Sequence, residues 1–316
     1  VDKLSGKVLI GIILALLVAG FFVRVPKPEI FVPAEAVVTV SGFVVTNTLL
    51  AAWVSIIFLM LLFRAVTINM QLVPRGVQNV MEVAVDGLYS FVLSVAGERY
   101  ARRFFPLVAT IFFFVITNSW LSLLPGYGTI GIVHVGEHEG VVFQKAGPLA
   151  LIMPGAETVA EGAHAPEGAT IGMLAPILRG ANTDLNFTLA MALIAMFSVE
   201  MWGIRANGFF GYGSKFINLK EGPIYFFVGL LEIISELSRI ISFTFRLFGN
   251  MFAGEVLLAV IVFLVPWALV LVFYTLEIFV GFVQALVFAG LTLVFTTMAV
   301  AGHGEEHHEG AEAHHS

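Results

Sequence analysis

Two apolar stretches late in this chain, Pro223–Leu264 and Trp267–Ala301, run for 42 and 35 residues with no loop inside either, and both carry charged residues. A membrane crossing takes about 20 apolar residues, rising about 1.5 Å each, to cover roughly 30 Å of hydrocarbon. As helices the two stretches would measure roughly 63 and 53 Å, too long for one upright crossing each. Either they tilt strongly, or they break at membrane depth, which is tolerated only beside protein or water. A tilted antiparallel pair joined near Pro266 is the preferred reading.

Four earlier regions qualify or nearly qualify as spans. Val8–Val23 is short and flanked by Lys3, Lys7 and Arg24; Phe43–Phe63 stops at Arg64. Phe104–Leu124 follows Arg99, Arg102 and Arg103 and stops at Pro125–Gly126, and Phe187–Trp202 with its flanks makes the fourth. Residues 76–97 set Val77, Met81, Ala84, Leu88, Val92 and Val95 at helical spacing, with Glu82, Asp86 and Ser90 on another face. That pattern predicts an interfacial amphipathic helix. The expected fold is therefore an all-α integral membrane protein of about six membrane helices, plus this interfacial one.

Composition fits that solvent: 59% of the 316 residues are hydrophobic and 12% charged, against roughly 25% charged in soluble domains. The absence of cysteine excludes disulfides, thiol catalysis and thiolate metal sites. The formal charge of −6 comes largely from the Glu-rich tail 302–316 and gives no argument for nucleic acid. No phosphate loop, HExxH or nucleophile elbow occurs, so no cofactor, catalytic metal or nucleotide hydrolysis is expected of this chain.

Loop charges set the orientation. Segments 64–103 and 204–222 are net positive and are assigned to the cytoplasm, whereas the acidic segment 126–182 falls on the opposite side. Alternation then places both termini inside. The expected organisation is an N-terminal helix and external linker over 1–42, a core over 43–303 with an external insertion at about 127–180, and a His/Glu-rich cytoplasmic tail over 304–316. The Gly- and Ala-rich stretch 145–180 reads as a loop without periodicity. The first hydrophobic stretch is either a retained anchor, the preferred reading, or a signal sequence with Ala34-Glu35-Ala36 as its cleavage match.

Charge inside an apolar run costs about 2.5–3.5 kcal/mol per residue on insertion scales, so each such residue asks for a partner or a water path. Pro223–Leu264 holds five: Glu232, Glu236, Arg239, Arg246 and Glu255. At about 100° per residue, Arg239 and Arg246 project within about 20° of each other, with Asn250 and Glu232 each about 40° from Arg246 on the side of Arg239. Glu255 projects about 180° from Arg246. The last stretch sets Glu277 and Gln284 on one face. Blander readings stand beside these: a snorkelling Arg239 near the membrane surface, interface positions for Glu232 and Glu236, an ion-paired Arg246, and helix capping by Asp184 and Asn186 rather than a channel entrance. His134, His138 and Glu139, and the histidines of the tail, are either solvated or suited to a divalent metal or proton collection.

The ten residues Arg246-Leu247-Phe248-Gly249-Asn250-Met251-Phe252-Ala253-Gly254-Glu255 resemble the RLFGN-M-x-AGE motif of subunit a of F-type, rotary ATP synthases. Pro74-Arg75-Gly76-Val77-Gln78-Asn79 with Glu82, Phe105-Pro106-Leu107 through Asn118 to Leu123-Leu124-Pro125, Asp184-Leu185-Asn186 and Gln284 extend the likeness from about Phe43 to His303. Residues 1–42, the insertion and the tail depart from the family pattern. The resemblance implies a multi-pass protein of a bacterial plasma membrane, a proton-translocating stator not catalytic on its own. Its implied partners are a ring of c subunits, peripheral-stalk b subunits, other synthase subunits, lipid and the translocated protons. It further implies that Arg246 is the essential arginine, and that Glu232, Asn250, Glu255, Glu277 and Gln284 line a proton path of two half-channels. Arg239, Glu236, Asp184 and Asn186 are secondary candidates. The position of Glu277 is a histidine in some members, so an all-acid pair with Glu255 is a departure. The competing class is a secondary transporter or self-contained channel with Arg246 binding an anion, but the inverted repeats common there are absent from this sequence.

Overall fold

The computed structural model describes residue 30 and residues 32–134, 140–146, 149–151, 158–159, 169–213, 223–264 and 268–301. Val8–Val23, the joint at Pro266, His138, Glu139 and the His-rich tail lie outside the described residues. Among the described residues five helices are long and apolar enough to cross a membrane. They are α1 (Asn47–Ile68), α2 (Val77–Leu121), α3 (Leu185–Asn207), α5 (Pro223–Leu264) and α6 (Ala268–Ala301), with a short α4 (Phe209–Gly213) between α3 and α5. Both late helices are unbroken over 42 and 34 residues, which removes the alternative of a break at membrane depth.

The chain divides into two compact units, one built from Val1–Ser55, Thr117–Asp184 and Phe248–Phe282, the other from Ile56–Ile116, Leu185–Leu247 and Val283–Ser316.

In the first unit, β1 (Ala36–Val40) and β2 (Phe43–Thr46) pair antiparallel around Ser41 and Gly42, whose φ of 50° and 87° are the positive pair that a tight primed hairpin turn requires. The span expected from Phe43 therefore starts later, at Asn47. Thr46 Oγ1 accepts the Leu49 N–H at 3.3 Å and Asn47 Oδ1 accepts the Thr48 N–H at 2.9 Å, which satisfies amides that a helix start leaves open. The insertion also differs from expectation. Strands β3 (Pro125–Gly128), β4 (Ile130–His134), β5 (Gly140–Ala146), β6 (Leu149–Leu151), β7 (Thr158–Val159) and β8 (Ala169–Pro176) occupy it, and the last five form an antiparallel sheet ordered β6-β4-β8-β5-β7. Glycines and alanines mask the two-residue alternation of a strand, and β4 and β8 meet only through non-local pairing.

In the second unit, α2 contains non-helical Gly97 at φ 68° and ψ 168°, which separates the expected amphipathic helix from the span that follows. Met81, Leu88, Val92 and Ala96 are buried along one face of the first part. Lipid is as apolar as the helices themselves, so close packing and hydrogen bonds, not expulsion of water, hold such a bundle. Small residues accordingly fill the contacts: Ala192 and Ala195 on α3, and Ala285, Ala289, Thr292 and Thr296 on α6, are fully buried or nearly so. Phe243 of α5 packs edge-on against Phe288 of α6 at 4.9 Å, and Phe91 lies against Gly290.

Candidate functional site

Polar side chains in the first unit gather where α1, the end of α2, the residues before α3, α5 and α6 contribute to it. Arg179, just after β8, is buried and turns its guanidinium on Glu255 of α5: Nε donates at 3.1 Å to Oε1 and 3.3 Å to Oε2, and Nη2 donates at 3.3 Å to Oε2. Asp184 is buried in extended backbone immediately before α3 and accepts the Thr48 hydroxyl at 2.9 Å. Asn182 donates to Ser119 Oγ at 3.0 Å, Ser119 donates to Met251 Sδ at 3.2 Å, and Ser55 donates to Asn118 Oδ1 at 2.8 Å. Polar groups shielded from water need such partners, and here they come from segments far apart in the chain.

Glu277 of α6 lies against Gly254 of α5, so closely that a methyl group on Gly254 would overlap its carboxylate. The glycine's missing side chain makes the space that the acid occupies. Two further contacts position this part of α6: the Trp120 indole N–H donates to the Ile278 carbonyl at 3.1 Å, and the Tyr274 hydroxyl to the Leu123 carbonyl at 2.8 Å. Asn250, in the same unit, is exposed.

The second unit holds the other candidates. Arg246 is half-buried; its Nη2 donates to Ser242 Oγ at 3.2 Å, and its Cζ stands 5.9 Å from the Phe243 ring centroid. No carboxylate lies within ion-pair distance of Arg246 among the described residues. Arg239 differs, since it pairs with Glu236 at 2.6 Å one turn away and lies 4.9 Å from the Phe295 ring centroid. The stripe read from the helical projection thus contains one arginine paired with a carboxylate and one with none among the described residues. Glu232 is half-buried, Gln284 is buried at 3% exposure, and Asn186 is exposed near the start of α3.

Sequence reasoning missed Glu200, although the rule of charge in an apolar run applies to it inside α3. It lines a cleft of about 320 Å³ with Glu236, Met196, Phe197 and Leu237. Tyr212 of α4 packs onto Gly203, and burial first, then the nearby Glu200, Glu236 and Glu232, pushes its hydroxyl well above the usual tyrosine range. Arg179 lies in the acidic segment 126–182, with no motif around it. Its partner is 76 residues away, and no local pattern announces that pairing.

The sequence profile of the family described as ATP synthase A chain matches residues 44–297. Among curated proteins, ATP synthase subunit a of Helicobacter hepaticus is 32% identical over 264 residues, covering 83% of this chain and 90% of the relative. The Nitratiruptor sp. protein of the same name is 31% identical with 83% and 91% covered, and that of Helicobacter pylori is 30% identical with 73% and 80% covered. The region matched contains α1, α2, α3 and α5 whole and α6 up to its last turn.

Proposed function

The chain belongs to the ATP synthase A chain family, and we propose that it works by two half-channels that load and unload carboxylates on a rotating ring of c subunits. The coarser role follows from the family: a multi-pass membrane subunit of the synthase, concerned with proton transport. The finer reading is supported most by Arg246, a half-buried cation inside an apolar helix whose described surroundings offer it a hydroxyl and a ring face but no carboxylate. Such a group is available to a carboxylate of another chain.

A ring carboxylate facing lipid must be protonated. Beside Arg246 it can ionise, because a guanidinium stays protonated at any accessible pH and compensates the buried anion. The same fixed charge repels a proton that would pass straight through, so protons travel with the ring. On the orientation drawn from loop charges, Glu255 and Glu277 belong to the half-channel that brings protons from the outside, with Asp184 and Asn186 at the entrance. Glu232 assists release to the cytoplasm, and Glu200 and Glu236 line a cleft on that route. Asn250 continues the polar stripe, and Gln284 orients Arg246 by hydrogen bonding. Apolar side chains exposed along α5, Phe227, Leu231, Ile234, Ile241 and Phe245 among them, suit contact with ring helices or lipid. The peripheral-stalk b subunits are a further proposed contact of this stator, in a bacterial plasma membrane with the described C-terminal helix ending inside.

Arg246→Ala tests this directly. In membranes where assembly of the complex is established, proton-driven ATP synthesis falls to background. Synthesis at near wild-type rate in the assembled variant would sink the mechanism.

A further inference from the structure

Arg179 makes four hydrogen bonds with one guanidinium: three to the two oxygens of Glu255, and one from Nη1 to the Pro33 carbonyl at 3.3 Å. Its side chain is 6% exposed and that of Glu255 40%, and its Cζ stands 5.9 Å from the ring centroid of Phe252, one turn before Glu255. A guanidinium buried to this degree requires a compensating anion, because an unpaired buried charge is strongly unfavourable. Glu255 supplies that anion on both oxygens, in the planar arrangement that suits an arginine fork. Glu277 contrasts with it. Among the described residues no arginine or lysine pairs with Glu277, and the carboxylate is seated on the bare backbone of Gly254.

We propose that Arg179 is a positioning residue of the half-channel containing these acids: it clamps Glu255 as a fixed anion and leaves Glu277 as the carboxyl that takes up and releases the proton. This assignment rests on the half-channel reading above and divides the labour between its two acids. Glu255 is the carboxylate that compensates the buried Arg179 guanidinium, so neutralising it would leave that cation without its anion, and arginine surrenders no proton in exchange. Glu255 acts instead through its charge, which concentrates protons near the path. The exchange step at Glu277 balances simply: the carboxylate binds a proton arriving by water, and the O–H bond breaks when that proton passes to the next acceptor.

The experiment uses membrane vesicles carrying the whole synthase, with proton flux through the membrane sector normalised to assembled complex. The variants are Arg179→Gln, Arg179→Lys, Glu255→Gln, Glu277→Gln and the charge swap R179E/E255R. The expected results are background flux in Glu277→Gln and a partial loss, about tenfold, in both Arg179→Gln and Glu255→Gln, the order of one lost charged hydrogen bond. Arg179→Lys regains most of that loss by keeping the cation. The charge swap restores assembly but not flux, since it sets a cation where the path needs an anion. If the swap restores flux to the wild-type level, the pair is only a tether and the proposal is overturned. The same follows if Glu255→Gln is as inactive as Glu277→Gln while Arg179→Gln conducts normally. Should Arg179→Gln fail to assemble, normalised flux of Arg179→Lys and of the swap still decides between clamp and tether. Wild-type flux in both Glu255→Gln and Glu277→Gln would instead overturn the half-channel reading itself.

Discussion

Gly254→Ala offers the sharpest test of geometry, because it adds one methyl group and no charge. Both oxygens of Glu277 and its carboxyl carbon would overlap the new Cβ. Ordinary contact requires roughly 3.5 Å, so the carboxylate must retreat by about an ångström or more. The overlapping atoms are the end of a flexible side chain, and the shift is accommodated by rotation at about 0.5–1.5 kcal/mol for an off-rotamer arrangement. That alone reduces occupancy of the original position by about two- to twelvefold. Misplacing a reacting group by about 1 Å costs up to about 100-fold in rate, so proton flux should fall by about 10- to 100-fold. Helix propensity works the other way, since alanine favours a helix interior over glycine by about 1 kcal/mol. A loss of flux in assembled complex is therefore not a folding defect. The assay is proton flux in vesicles for Gly254→Ala alone and combined with Glu277→Asp, whose side chain is one methylene shorter. The shorter acid should recover part of the loss in the alanine background while impairing the glycine background. Wild-type flux in assembled Gly254→Ala, or no recovery by the aspartate, would refute the reasoning.

Glu255→Gln and Glu277→Gln should slow proton transport more than Glu236→Gln, because both belong to the proposed outer half-channel and Glu236 does not; equal effects in vesicle flux would remove the half-channel assignment. Gly203→Ala would drive a methyl group into the Tyr212 ring, at about 1–3 kcal/mol for overpacking. A lowered midpoint of thermal unfolding in detergent checks it, and an unchanged midpoint would show that α4 yields freely.

Spans were legible in the sequence because hydropathy is a property of composition over about twenty residues. Pro223–Leu264 is a helix over the very residues that the apolar run marks, and the last stretch is helical over all its described residues, Ala268–Ala301. Where the expectation slipped, a local device intervened: the hairpin before Thr46 shortens α1 at its start, and Gly97 divides the amphipathic helix from its span. Most of the candidate acids and arginines were visible too, Glu200 and Arg179 excepted, since charge within hydrocarbon is costly wherever it occurs, and the ten residues from Arg246 to Glu255 carry the likeness to the family.

What the sequence could not contain is who meets whom. Glu255 and Glu277 read as an equivalent pair, yet in the fold one is held by Arg179 from 76 residues away and the other rests on Gly254. Arg239 and Arg246 share a stripe, yet only Arg239 is neutralised by a carboxylate among the described residues. Asp184, read either as a helix cap or as an entrance residue, receives the hydroxyl of Thr48, 136 residues earlier. Helical spacing and composition are set by each segment alone, whereas these partnerships depend on the packing of distant segments. The sequence by itself therefore determined the solvent, the spans and the charged residues placed in them; the tertiary structure decided which of those charges are paired among the described residues.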